Sequence, residues 1–153
     1  MENKRIEYAK KKNAQGCNCA QAIALAYQDL IPISPEILFK MVEGFGGGMG
    51  RMQETCGLLT GLYVILSFLT SDGNMENGKS KTHTYQYIQK LHNKFIEQTG
   101  SAHCLILLQG QTPSAKVCKS FSPDKYLVAC EVFEDILKEL HINFSQNPTF
   151  IDN

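Results

Sequence analysis

The sequence predicts an all-α fold, a single compact helical bundle of about five to seven helices. Apolar residues recur at helical spacing in several segments, helix-capping residues precede those segments, and no stretch shows the alternation of a β-strand. The chain has 153 residues, 43% of them hydrophobic, which is enough to bury a core without disulfides. We expect one domain over residues 1–142 and an irregular C-terminal tail over residues 143–153.

Three predicted helices occupy the first part of the chain. Residues 2–14 are charged and typical of a solvated amphipathic helix. Asn18 is a good N-cap for the second helix, which places Cys19 in its first turn and at the start of its buried stripe. Ser34 and Pro35 are typical of the N-cap and first position of a short third helix.

A glycine-rich loop, residues 44–50, leads into the most apolar segment of the chain, residues 58–69. We expect a helix that starts at Thr55 or Cys56, is buried on most sides and holds Cys56 in its first turn. The positive end of a helix favours a thiolate and lowers the pKa of a cysteine, so a reactive or metal-ligating sulfur is favoured there. A packed free cysteine explains the same position equally well.

The glycines of this loop indicate close approach of the backbone rather than phosphate binding. Neither dinucleotide nor P-loop spacing fits residues 44–61, and no strand precedes them. We expect the glycines to allow positive φ angles and to admit another element or a cofactor. The residues assigned to cofactor binding are Gly46, Gly47, Gly48 and Gly50, together with Gly57, which we expect on a helical face where it lets a neighbouring helix pack close to Cys56.

A long amphipathic helix is predicted to end at Gly100, after an exposed polar loop. His92 lies on its apolar face, where a histidine is more typical of the core or its boundary than of a metal site. Cys104 then falls in the first turn of a short helix, as Cys19 and Cys56 do in theirs. Three cysteines at three helix starts predict a site where those helix ends meet.

Two further cysteines lie near the end of the chain. Cys118 is expected in a loop over residues 111–124, with basic neighbours that would favour a thiolate. Cys130 falls in the middle of the apolar stripe of the last helix, about residues 123–140, and is interpreted as core.

Charge and composition exclude several classes of partner. The 15 basic residues balance the 15 acidic ones, so no broad patch suits nucleic acid or an anionic membrane. The apolar run is shorter than the roughly 20 residues that span a bilayer, and the N-terminus resembles no signal peptide. We expect a cytoplasmic protein with no stable membrane insertion. Six cysteines in that compartment indicate metal or redox work, and without a C-x-x-C motif any site must be assembled across the fold.

Four segments together resemble the C-GCAxxG-C-C family of redox-active proteins. They are NCAQA at residues 18–22, GGGMG at residues 46–50, TCGLLTG at residues 55–61, and CLILL at residues 104–108, followed by a later cysteine. The N-terminal part of split-Soret cytochromes, with which an iron–sulfur centre is associated, is similar. The resemblance implies a small all-helical protein that uses four clustered cysteines for redox work.

Carried over by position, the resemblance assigns the first three family cysteines to Cys19, Cys56 and Cys104. We prefer Cys118 as the fourth, because it lies in a loop before the last helix, whereas core packing explains Cys130.

Two positions depart from the family pattern. Leu58 stands where the family usually has alanine, and Cys17 is an addition of this chain. We interpret Cys17 as an incidental exposed thiol, although it could resolve a disulfide.

Two mechanisms fit four convergent sulfurs. In the first, a thiolate at catalytic Cys19 or Cys56 attacks an oxidised substrate and a neighbouring cysteine resolves the intermediate. In the second, the metal ligands of a [2Fe–2S] cluster are Cys19, Cys56, Cys104 and Cys118. A tetrathiolate zinc site is a weaker choice, since such sites usually use close chelating pairs.

A different class stays open, namely a helical ligand-binding or partner-binding module, for example one associated with a transporter, in which the cysteines are structural. The sequence identifies neither the redox partner nor the substrate, and a homodimer is an open expectation.

Overall fold

The computed structural model of the chain describes residues 2–151. Within them lie eight α-helices: α1 (Lys4–Ala14), α2 (Cys19–Leu25), α3 (Pro35–Val42), α4 (Gly57–Thr70), α5 (Lys81–Thr99), α6 (Cys104–Leu107), α7 (Ala115–Cys118) and α8 (Lys125–Glu139). No strand forms in this part of the chain, where the β-type pairing is one isolated bridge between Thr55 and His103. The predicted all-α class is confirmed, and the helix count exceeds the expectation by one because α7 forms in a segment that was expected to be a loop.

Local capping explains where several helices begin. Asn18 accepts a hydrogen bond from the N–H of Gln21 at 2.9 Å, and the Gln21 side chain accepts one from the N–H of Asn18 at 3.0 Å. This capping box starts α2 at Cys19, as predicted. The Ser34 side chain caps α3 by accepting a hydrogen bond from the N–H of Ile37, and Asp124 accepts hydrogen bonds from the first turn of α8.

Helix α4 forms the centre of the core and packs closely on α2. Its most deeply buried side chains are Leu58, Leu59, Leu62, Ile65 and Leu66. A Cβ added at Gly61 would lie 2.6 Å from the carbonyl oxygen of Ala20, so the two backbones nearly touch there. The glycine therefore sets the separation of the two helices that carry Cys19 and Cys56.

The start of α4 differs from the prediction. Cys56 is the N-cap, with φ −53° and ψ 131°, and the helix begins one residue later at Gly57. The chain is still extended at Cys56 because Thr55 pairs with His103 and the Cys56 N–H donates to the Ala102 oxygen at 2.8 Å. A long-range contact, which no local pattern reveals, delays the helix.

Residues 143–151 contain neither helix nor strand and lie against α1. Arg5 donates to the carbonyl oxygen of Ser145 at 2.7 Å, and Phe150 stacks on Tyr8 with ring centroids 3.8 Å apart. Met1 and residues 152–153 of the predicted tail lie outside the described residues. The division into a domain and a tail stays a prediction.

Across residues 2–151, no helix combines the length and the apolar character required to cross a bilayer.

Candidate functional site

The glycine loop forms a left-handed turn. Five consecutive residues, 47–51, have φ between 64° and 71°, and the short segment Gly46–Met49 therefore departs from α-helical geometry. Left-handed turns cost residues with a Cβ about 1–2 kcal/mol each, which explains why glycine occupies most of this stretch. Gly46 does not have the expected positive φ, since its φ is −64°. It admits another side chain instead, because a Cβ there would lie 2.4 Å from Cγ of Asn18.

This turn brings the start of α2 and the start of α6 together. The N–H of Gly47 donates to the Cys19 sulfur. A Cβ at Gly48 would lie 2.6 Å from Cβ of Cys104, so backbone packs directly on that cysteine. The N–H of Cys104 also donates to the Glu54 oxygen at 2.7 Å, just beyond the turn. The glycines thus serve the close approach that the sequence predicted.

Four cysteines that are far apart in sequence line one small cavity of about 20 Å³. They are Cys19, Cys56, Cys104 and Cys118. The first three are at most 8% exposed and lie at or next to a helix start, whereas the fourth is half-buried. Cys118 is not in an irregular loop as expected, because Ser114 caps a single helical turn that ends at this cysteine.

The other two cysteines do not line this cavity. Cys130 is fully buried in α8, where it hydrogen-bonds to Tyr27. Cys17 is half-buried on an open cleft outside the cavity. His92 is likewise absent from the lining, and its Nδ1 lies 2.7 Å from the Tyr63 hydroxyl, as a boundary residue would.

All four cavity thiols have raised pKa values, opposite to the expected effect of the helix starts. Burial is the largest cause, raising the pKa of Cys104 to about 11 and that of Cys56 further. The negative charges that neighbouring thiolates would carry raise the values of Cys19, Cys56 and Cys104 again. Hydrogen bonds from backbone N–H groups lower the pKa values of Cys19, Cys56 and Cys118. Loss of water around the sulfurs raises the pKa values more than these N–H groups lower them, so the protonated, neutral thiol is the favoured form of all four cysteines.

Two residues of α8 complete the site and were missed from the sequence. Lys125 lines the cavity, is only 4% exposed and has no hydrogen-bond partner for its Nζ within the described chain. The buried hydroxyl of Tyr126 has no partner there either, and burial followed by the nearby Cys19 raises its pKa. A lysine directly after the N-cap Asp124 opposes the helix dipole, and that unfavourable placement is a signal in the sequence.

A cleft of about 570 Å³ lies beside the cavity and opens to solvent. Cys19 and Cys118 line both spaces, while Cys17, Arg51 and Glu43 line the cleft alone. The volume is in the range of small-molecule sites. The cleft is a route by which a reactant can reach the cysteines.

The donor geometry is more specific than the shared lining suggests. Among residues 2–151 no three Cys, His, Asp or Glu side chains are arranged to hold one metal ion. As they stand, these side chains do not form a tetrathiolate site for a single metal ion such as structural zinc. A binuclear centre requires two pairs of thiolates, one for each metal ion.

A family model described as "Putative redox-active protein (C_GCAxxG_C_C)" matches residues 17–146, a stretch that contains all six cysteines. No curated protein and no solved structure matches the chain.

Proposed function

The chain belongs to the C_GCAxxG_C_C family, and from that premise we propose that it is an electron-transfer protein whose four cavity cysteines bind a [2Fe–2S] cluster. The ligands are Cys19, Cys56, Cys104 and Cys118. The observation that carries the proposal is the convergence of these four thiols, from four separate segments of the chain, on one buried cavity. Four thiolates are the usual ligand set of such a cluster.

The surroundings of the cavity fit an anionic group. Four thiolates held together repel one another, which contributes to the raised pKa values of Cys56 and Cys104. Positive charge of bound metal would relieve that repulsion, since a coordinating thiol is deprotonated outright. The unpartnered Nζ of Lys125 and hydroxyl of Tyr126 are further donors beside these sulfurs.

The cavity volume sets a condition on loading. About 20 Å³ accommodates roughly one water molecule. The cysteine side chains must therefore move apart when a cluster is inserted. Cys118 is the least constrained of the four, because it is half-buried at the edge of the open cleft.

A bound cluster supplies one-electron redox chemistry, and the residues of the chain control its surroundings. The N–H groups of Gly47, Leu58 and Ser114 point at cysteine sulfurs and stabilise negative charge on them. Leu107 and Leu108 line the cavity and keep water from it. The cleft beside Cys118 is where an electron partner comes within reach.

Dithiol/disulfide chemistry is the alternative within the same family. It requires an accessible thiolate, whereas Cys19 and Cys56 are at most 8% exposed and burial raises their pKa values. These properties favour metal ligation over nucleophilic attack. A partner-binding module with structural cysteines is a separate class, for which the Cys19→Ser, Cys56→Ser double variant would lose no redox response.

The test is the iron and acid-labile sulfide content of protein purified without oxygen, together with its visible absorption before and after reduction. We expect about two irons per wild-type chain, with absorption that bleaches on reduction. Cys118→Ser should lose the iron, while the matched variants Cys17→Ser and Cys130→Ser should keep it. An iron-free wild type that loses about two thiols on mild oxidation would refute the cluster and favour a disulfide.

A further inference from the structure

Lys125 places an uncompensated positive charge at the wall of the cysteine cavity. Its side chain is 4% exposed, and its Nζ has no hydrogen-bond partner within residues 2–151. The aromatic ring of Phe121 lies 5.6 Å from Nζ and is a weak substitute for a counter-ion. Lys125 lines the cavity together with Cys104 and Cys118, and its charge lowers the pKa values of both thiols against the larger effect of burial.

Two physical costs attach to this placement. A buried ammonium without a partner loses its hydration and gains little in return. Lys125 is also the first residue of α8, where a positive charge opposes the helix dipole. An anion at the cavity would offset both costs. Of the described groups that line the cavity with Lys125, the cysteine sulfurs are the ones that can carry negative charge.

We propose that Lys125 is the counter-charge of the redox centre, a positioning residue whose ammonium stabilises negative charge on the sulfurs of Cys104 and Cys118. This inference rests on the proposed function. A cluster held by these sulfurs would gain one electron from an external one-electron donor, and its net charge would then become more negative by one. The ammonium of Lys125 would interact more strongly with the reduced cluster than with the oxidised one, and it would therefore raise the reduction potential.

The test compares Lys125→Met, Lys125→Arg and the matched control Lys119→Met with the wild type. Lys119 is an exposed lysine next to Cys118, and its charge lowers the pKa of that thiol less than the charge of Lys125 does. Methionine keeps an apolar stem of similar length without the charge, while arginine keeps the charge.

In iron-free, reduced protein, Lys125→Met should unfold at a higher urea concentration than the wild type, because the orphaned charge is gone. In iron-loaded protein the same variant should show a more negative midpoint potential and release iron faster. Lys125→Arg and Lys119→Met should stay close to the wild type in potential. A lysine with only a structural role would not make the iron-free variant more stable and, at the same time, make the iron-loaded variant release iron faster.

Two results would overturn the proposed role of Lys125. If iron-free Lys125→Met is no more stable than the wild type, or fails to fold, the lysine is not uncompensated and the inference is wrong. An unchanged midpoint potential in loaded Lys125→Met overturns it as well. Failure of the proposed function looks different, because then no protein in the series, including the wild type, retains iron.

Discussion

Replacing Gly57 with alanine adds only one methyl group, but we expect it to disrupt the cysteine site. A Cβ at this position would lie 2.4 Å from the Cys19 sulfur and 3.1 Å from the carbonyl oxygen of Phe45. The sulfur cannot move freely, since it accepts a hydrogen bond from the N–H of Gly47 and is buried. Either Cys19 rotates out of the cavity or α2 and α4 move apart.

The expected energy follows from two opposing effects. Forcing a methyl group into a packed core typically costs about 1–3 kcal/mol. Alanine is the better helix former by at most about 1 kcal/mol, and less at the first helical position. We expect Gly57→Ala to lower the free energy of unfolding by about 1–2 kcal/mol.

Urea unfolding of the iron-free protein measures this change, and iron content measures its effect on the site. Gly44→Ala is the matched control, because a Cβ at Gly44 meets no atom within 4 Å. Its effect should stay within about 0.5 kcal/mol, with unchanged iron content. The reasoning is refuted if Gly57→Ala matches the wild type in both stability and iron content.

Three further predictions concern stability away from the cavity. Arg5 is fully buried and donates to Asp29 and to the Ala26 oxygen at 2.6 Å, so Arg5→Leu should cost about 2–4 kcal/mol in urea unfolding. Lys10→Ala, which breaks the half-exposed pair with Asp124, should cost at most about 1 kcal/mol, and equal losses would contradict this account. For pH dependence, burial raises the pKa of Cys130 to about 12, from about 8.5 in the unfolded chain. Its contribution to the stability of the reduced, iron-free protein is complete below about pH 8.5 and is lost as the pH rises toward the folded value, because only the unfolded chain ionises. Cys130→Val should therefore flatten the alkaline decline by up to about 1.4 kcal/mol per pH unit, and an unchanged slope in urea unfolding between about pH 8.5 and 10 would disprove it.

Helix boundaries were predictable where a nearby side chain creates them. Asn18, Ser34 and Asp124 cap α2, α3 and α8 with hydrogen bonds that span two or three residues. The start of α4 was not predictable in the same way, because the bridge between Thr55 and His103 extends the chain past the expected position. Sequence patterns report interactions within a helical turn, and this one joins segments far apart in the chain.

Some features of the candidate site were also predictable from the sequence, and others were not. The glycine turn was predicted to bring backbone close to another element, and Gly48 packs directly against Cys104. The pKa direction of the cysteines was predicted wrongly, because the helix starts were considered without the loss of water around the sulfurs. Lys125 was missed because its burial, rather than its type, makes it unusual.

The sequence by itself determined the helical class, most helix starts and the set of cysteines and glycines from which a redox centre can be built. Only the tertiary structure decided that Cys19, Cys56, Cys104 and Cys118 line one cavity and that Lys125 faces it. The physical reason is the distance along the chain over which each interaction acts. Caps and helical periodicity act over a few residues, whereas burial and the meeting of distant sulfurs depend on how whole helices pack.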